Sequence, residues 1–394
     1  MKNKRVRVWL LGSIIAVMML AMTGCGGNKS AKDFYQDGLK CLDGGSYEEA
    51  EQYLQKAVEM NKEKAVYYIG YGMSLIKNEK YEEALIQFDK AIIDSDNKIA
   101  RENTKSASRG KGIAYYESAN YDLAIKQFTK ALNIKELSDL NIDILKYKGA
   151  AEDKAGKYKE AVETYNRLLK LKKSDGEVYA SRARVSYLSG DFEGAKKDYD
   201  KAIKFEKDNY DFYLGKYFML VKEGKAEDAA QTLKDALVIK ANSTEDEYNV
   251  ARIHYYQGDN EKAFSEFTKV VKEYSMANYY MGEIYYSKSD YANAITSYET
   301  YIKGEASIKE ASVYNHLTLC YISQKNYEKA LEYVQAGITL NDSALMQNLK
   351  YNEVACYEGL AQFDVALKKC QEYLALYPEN EEMKRESEFL ETRN

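Results

Sequence analysis

Two histidines, five cysteines and many paired carboxylates are the side chains of this chain that could do chemistry. A metal centre needs several His, Cys or carboxylate ligands brought together. His254 and His316 are the only histidines, they lie in non-adjacent repeats, and no Cys or carboxylate spacing makes a metal site around either. His254 falls on the apolar stripe of a helical pattern, which reads as structural, and His316 falls nearer the other face. The pairs Glu48-Glu49 and Glu82-Glu83 could share a proton in general acid–base work. Each follows a turn, so they read instead as first-turn carboxylates set against a helix dipole. G-x-S-x-G, a Walker loop, H-E-x-x-H and G-x-G-x-x-G after a strand are all missing from the sequence. The expectation is a non-enzyme with no metal and no diffusible cofactor.

The composition narrows the scaffold that must hold these residues. The chain has 394 residues with 38 Tyr, one Pro and one Trp. Charged residues make up 30% and apolar residues 45%, a balance that can bury a core and is not that of a disordered chain. So little proline excludes collagen and proline-rich linkers. Basic and acidic residues are interspersed, without the clustered basic face that nucleic acid requires.

The N-terminus stands apart. Lys2, Lys4, Arg5 and Arg7 precede an apolar run from Val8 to Met22. That run is shorter than the roughly 20 residues of an ordinary membrane-spanning helix. It ends in Met22-Thr23-Gly24-Cys25. Charge, apolar run, small residues and cysteine in this order resemble the bacterial lipoprotein signal, with Met22 where Leu is usual. The resemblance implies that residues 1–24 are removed and that Cys25 carries a covalent lipid. Residues 25–30 would then be a lipidated tether. The expected place is the cell membrane, lipid-anchored on its extracytoplasmic face. The remaining chain would lack Trp9 and carry a formal charge of about −9.

From residue 31 a repeat governs the sequence. An aromatic residue, two variable positions and an alanine recur, followed four residues later by an aromatic or Leu. The alanines are Ala50, Ala84, Ala124, Ala161, Ala195, Ala229, Ala263, Ala294, Ala330 and Ala366, spaced 34, 40, 37, 34, 34, 34, 31, 36 and 36 residues apart. Small residues recur upstream at Gly38, Gly72, Gly112, Gly149, Ala183, Ala251 and Gly282, where close helix crossing needs them. Tyr217 breaks that series, and Ala226 and Asn260 replace the turn aromatic. The longer spacings predict extended connections near Ile99–Thr104 and Ser138–Asn141.

These positions and the 34-residue period resemble the tetratricopeptide repeat. The resemblance implies an all-α fold over residues 31–380: an α-solenoid of about ten helix–turn–helix repeats in a right-handed superhelix. Residues 381–394 read as a C-terminal cap helix, since a solenoid needs a polar end. The four cysteines after Cys25 (Cys41, Cys320, Cys356 and Cys370) are expected to stay reduced as small buried hydrophobes.

In this family the concave groove is lined by positions two, five, nine and twelve of each unit. Here those positions and their neighbours give Arg184, Tyr187, Tyr248, Arg252, Tyr255, Tyr279, Tyr280, Glu283 and Tyr286 as groove candidates. Tyr and Arg are the residues that interfaces favour. The tyrosines leave two readings open, a binding surface or a chain that is tyrosine-rich throughout. Asp143, Glu177, Asp211 and Glu245 recur two residues into consecutive units, either as an acidic ladder or as first-turn carboxylates. The family's carboxylate clamp is absent: positions five and nine read Tyr35/Leu39, Ile69/Met73, Arg109/Ile113 and Lys146/Ala150. The function expected is a membrane-anchored scaffold that binds a protein or peptide partner and no nucleic acid. The alternatives are an assembly factor for an envelope complex and binding of cell-wall glycan.

Overall fold

The computed structural model describes residues 29–304 and 310–393. Cys25 and the signal expected over residues 1–24 lie outside the described residues. The chain divides into two compact units, Met1–Lys207 and Asp208–Asn394. The described residues form helices and turns and contain no strand.

In the first unit the helices are α1 (Ala31–Asp43), α2 (Tyr47–Met60), α3 (Ala65–Lys77), α4 (Tyr81–Ala91) and α5 (Lys98–Glu117). They continue as α6 (Tyr121–Leu132), α7 (Leu140–Lys154), α8 (Tyr158–Leu171), α9 (Gly176–Leu188) and α10 (Phe192–Phe205). The second unit holds α11 (Tyr210–Lys222), α12 (Ala226–Ala236), α13 (Thr244–Tyr256), α14 (Asn260–Val270), α15 (Ala277–Ser287) and α16 (Tyr291–Lys303). It ends with α17 (Ala311–Ser323), α18 (Tyr327–Thr339), α19 (Met346–Gly359), α20 (Phe363–Leu376) and α21 (Glu381–Glu391). These are ten helix pairs and a final helix, an α-solenoid arrangement. Every second helix starts on the turn residue of the sequence motif, including the two departures, Ala226 and Asn260.

The motif alanine explains the pairing. Ala50, Ala84, Ala124, Ala161 and Ala195 are fully buried, with no side chain beyond Cβ to hold the helices apart. The residue four further on then fills the gap between first helices. A Cβ on Gly72 would lie 2.7 Å from the Phe88 ring, one on Gly112 2.5 Å from Phe128, and one on Gly149 2.7 Å from Tyr165. The second unit repeats this with Gly282 and Tyr298 at 2.6 Å. The small residue is there to admit a ring, and burying each ring is worth about 2–3 kcal/mol.

One expectation on connections is corrected. Ile99–Thr104 is helical, because the extra residues lengthen α5 to 20 residues. Asn97 caps it by accepting from the Ala100 N–H at 2.9 Å. Before α7 the connection covers residues 133–139, and Leu140 and Asn141 of the expected segment are already helical.

Each of the ten turns between paired helices contains one residue with positive φ. Five are glycines: Gly45, Gly156, Gly190, Gly224 and Gly258. The other five are Glu79, Ala119, Ser289, Lys325 and Ala361. A side chain there costs roughly 1–2 kcal/mol, part of which glycine's unfolded-state entropy cancels. Ala119→Gly and Ala361→Gly should therefore each stabilise the chain by about 0.5–1 kcal/mol, read as a raised denaturant midpoint. An unchanged or lowered midpoint for both would sink that account.

Candidate partner-binding wall

The first helices of successive pairs supply the candidate residues, which fall in two groups by unit. In the first unit Arg184 and Tyr187 lie on α9 and are both half-buried. Arg184 forms an ion pair with the buried Asp153, while its own Nε has no partner. Burial pulls this guanidinium below its ordinary value. Tyr187 packs on Phe192 with ring centres 5.3 Å apart.

In the second unit α13 and α15 carry the remaining seven. Two of them are corrected from surface to core. Tyr248 is 2% exposed and Tyr280 is 5% exposed. Tyr248 stacks on Tyr274 at 5.0 Å, and Tyr280 lies parallel to Phe267 at 4.9 Å. Their faces are spent on packing against Phe267 of α14 and Tyr274 of the connection that follows it. Tyr255, Tyr279 and Tyr286 are half-buried and keep part of each ring at the surface. Tyr255 meets Tyr280 edge-on at 5.1 Å, and Tyr279 meets Tyr280 the same way at 5.2 Å. The core Tyr280 therefore supports Tyr255 and Tyr279. Burial, with the Glu283 charge adding to it, pushes the Tyr255 hydroxyl up to about 12. The three phenols stay neutral donors at ordinary pH.

Arg252 lies over the Tyr248 ring, 5.7 Å from its centre. Its Nη1 donates to Asn249 Oδ1 at 2.9 Å and to Asp211 Oδ1 at 3.2 Å. Arg252 is thus turned toward α11, and it resolves part of the acidic series. Asp211 is its ion-pair partner, and Asp143 is bound by Arg109 at 2.5 Å. Asp143, Glu177, Asp211 and Glu245 all stand in first turns.

The histidines separate as their positions suggested. His254 is 5% exposed, with Nδ1 2.6 Å from a Glu266 oxygen, a satisfied core residue. His316 joins the wall. Its Nδ1 lies 2.8 Å from Glu283 Oε1, and its ring stacks on Tyr286 at 4.6 Å. Tyr298 donates to the same Glu283 oxygen at 2.6 Å. This convergence escaped sequence reasoning, because the three groups sit on α15, α16 and α17. The one signal was helical spacing that put His316 off the apolar stripe. Asn315 and Asn352 form a second hidden link, a buried amide pair at 2.9 Å.

Cys320, Cys356 and Cys370 are buried and free. Burial and a nearby glutamate push the Cys320 and Cys356 thiols up to about 12, so both are unreactive at neutral pH. Cys41 is free but only half-buried, a correction to the expectation of a buried hydrophobe. No group of residues able to hold a metal occurs among the described residues, and none of their helices is long and apolar enough to cross a membrane.

The C-terminal helix adds a titratable contact. Burial and the adjacent Glu386 raise the Glu358 carboxyl on α19 to about 7. A carboxyl raised above its unfolded value holds its proton better when folded. The stability tied to that proton is present at mildly acid pH and is lost as pH climbs through about 7. Docking of α21 should loosen over that range, seen as faster amide exchange in residues 383–390. Glu358→Gln should flatten the pH dependence, and a profile unchanged by that substitution would remove this carboxyl from the account.

Comparison with known proteins fits this architecture. A family model described as "Tetratricopeptide repeat" matches residues 42–99, 148–213 and 248–311, and a second of the same description matches 311–343. Together they cover more than half of the chain. DnaJ homolog subfamily C member 3 of Homo sapiens is 26% identical over 301 residues, covering 68% of this chain and 57% of that protein. Hsp70-Hsp90 organizing protein of Triticum aestivum is 28% identical over 189 residues, covering 41% of this chain and 32% of its own length. The chain thus spans little more than half of the first of these relatives. Among solved structures, a monomeric mutant of IFIT1 with Gppp-AAAA matches with a TM-score of 0.50 and 17% identity, over 84% of this chain and 82% of that one. A tetratricopeptide repeat protein from Parabacteroides merdae gives a TM-score of 0.48 and 15% identity, over 64% of this chain and 98% of that one. These structural likenesses concern the fold.

Proposed function

Because this chain belongs to the tetratricopeptide-repeat family, whose members act as protein–protein interaction scaffolds, we propose that it is a membrane-anchored scaffold outside the cytoplasm. It holds a peptide or protein partner against the first-helix wall of its second unit and catalyses nothing. The observation that carries the reading is the set Tyr255, Tyr279 and Tyr286. These rings stand at groove positions of consecutive first helices and are part-exposed, Tyr255 and Tyr279 backed by the core Tyr280 and Tyr286 by the His316 ring. A pre-ordered aromatic surface of this kind loses little side-chain entropy on binding and buries much area. The anchor is the lipid on Cys25 that the N-terminal resemblance implies.

Two measurements test the two halves. Crosslinked pull-down from native membranes would compare the wild type with a Tyr255→Ala/Tyr279→Ala/Tyr286→Ala variant of unchanged helical content. Tyr248 and Tyr280 are left in place because they belong to the core. A partner captured by both proteins would move the site elsewhere, and a partner lost by the folded variant places it on this wall. For the anchor, Cys25→Ser should shift the chain from the membrane pellet to the soluble fraction. Mass spectrometry should find lipid on Cys25 of the wild type, and an unmodified N-terminus would end the lipoprotein reading.

A further inference from the structure

The Glu283 carboxylate is used on one side only. Oε1 receives both the Tyr298 hydroxyl and His316 Nδ1. Oε2 takes no hydrogen bond from the described residues and is not a buried atom. The side chain is 16% exposed. His316 is its sole ion-pair partner among the described residues, and neither Lys nor Arg holds it. The nearest candidate of the same series, Arg252, is committed to Asp211 and Asn249.

Aromatic residues flank this carboxylate along α15. Tyr279 and Tyr286 stand one turn before and one turn after Glu283 on α15, hence on the same helical face. Tyr286 is stacked on His316, which places the imidazole beside it. Tyr255 comes from the equivalent groove position of the preceding first helix, α13. The charge of Glu283 is felt at all three phenols. A carboxylate flanked by aromatic side chains suits a cation, since the ring quadrupole and the carboxylate attract the same sign. The arrangement has the opposite polarity to a site for carboxylate groups.

We infer that Glu283, Tyr255, Tyr279, Tyr286 and His316 form a cation subsite that takes a lysine or arginine side chain of the partner. The inference rests on the proposed use of this wall and specifies the partner as a basic segment. Glu283 Oε2 accepts a hydrogen bond from the incoming ammonium or guanidinium, and the rings cover its alkyl stem. Tyr298 and the bonded nitrogen of His316 fix the carboxylate in place before binding, so little ordering remains to be done.

The test uses the full chain in detergent and two small probes, Nα-acetyl-lysine methylamide and its uncharged norleucine analogue. With only two histidines in the chain, the His316 ring signals can be followed by NMR and assigned with His316→Gln. The lysine probe should shift them saturably, with about tenfold tighter binding than norleucine. Glu283→Gln should reduce the lysine response to the norleucine level. Tyr298→Phe, which leaves the carboxylate charged, should keep most of it. Equal responses to the two probes, no saturable response, or a Glu283→Gln variant that binds lysine as well as wild type would each overturn the inference. Failure here together with partner loss in the tyrosine variant would leave the binding wall standing without its cation subsite. A lysine-selective response without any captured partner would leave the subsite and remove the proposed scaffold role.

Discussion

Gly110→Ala, a substitution that ordinarily strengthens a helix, should destabilise this chain by about 2–3 kcal/mol. Gly110 lies in the body of α5, where alanine would gain about 1 kcal/mol of helix propensity. The added Cβ would lie 2.4 Å from both Cε1 and Cζ of Phe88. Phe88 is fully buried and cannot withdraw. On its other side the Cβ site of Gly72 already lies 2.7 Å from the same ring. One ring is thus held between two first helices, α3 and α5, and each of them must be glycine at that point. The loss should show as a lowered denaturant midpoint and faster amide exchange in α4 and α5. A double-mutant cycle with Phe88→Leu assigns the cause. Shortening the ring should make the alanine tolerable, giving a coupling of about 1–2 kcal/mol. A Gly110→Ala protein as stable as wild type would mean that the helices can separate at no cost.

The position of Gly110 shows how far the sequence alone could go. The repeat period exposed Gly72 and Gly112, because small residues recur at that place in most units. Gly110 is two residues off that register, a place it shares with Gly70 of the preceding unit, so the period marks it only faintly. Its need arises from a contact between neighbouring repeats. The same distinction explains the connections. Longer alanine spacings revealed where residues had been added, at Ile99–Thr104, but not that they would lengthen a helix. A spacing measures chain length between fixed points and says nothing of its conformation. Glu79, Ala119, Ser289, Lys325 and Ala361 make a related case. The turn was legible from its neighbours although the residue at positive φ is unsuited to it, because helix packing on both sides imposes the geometry.

The wall was half legible for a physical reason. Family positions selected Tyr255, Tyr279 and Tyr286, which remain part-exposed. They also selected Tyr248, although that position is core in this chain. Whether a groove-facing ring stays free depends on the size of the second-helix residue beneath it, here Phe267 with its ring centre 6.0 Å from that of Tyr248. The tyrosine enrichment has a structural share as well. Tyr321 and Tyr333 both donate to Glu299 Oε1, at 2.6 and 2.8 Å, and their rings lie nearly parallel 5.5 Å apart. Tyr298 serves Glu283 in the same manner. Each of these pairs a buried phenol with a carboxylate from another helix, which a linear sequence does not display.

Lys105→Met should destabilise the first unit by about 2–4 kcal/mol, through a single buried ammonium. Lys105 is fully buried on α5. Its Nζ donates to the Ile134 carbonyl at 3.0 Å, the Glu136 carbonyl at 2.7 Å and Asn141 Oδ1 at 2.7 Å. All three acceptors belong to the connection between α6 and α7 or its edge. The ammonium thus does for this loop what a bound cation does elsewhere. Arg101 holds the same segment from outside, with Nε 2.8 Å from Glu136 Oε1. Two terms oppose each other. Taking an ammonium out of water costs several kcal/mol, and three charge-assisted hydrogen bonds return roughly 1.5–3 kcal/mol each. Methionine removes the desolvation cost but leaves three acceptors without their donor, so the loss prevails. Burial also draws the Lys105 ammonium below its ordinary value of 10.5, against the pull of Glu136. A lysine lowered in this way holds fewer protons folded than unfolded near that pH. Its contribution to stability therefore increases as pH rises from the folded value toward 10.5, and Lys105→Met should abolish that alkaline gain. Denaturant midpoints of wild type and variant at neutral and alkaline pH measure both effects. Amide exchange over residues 133–141 should quicken in the variant at neutral pH. If Lys105→Met matches the wild type in midpoint and in loop exchange, the ammonium's bonds do no more than repay its burial.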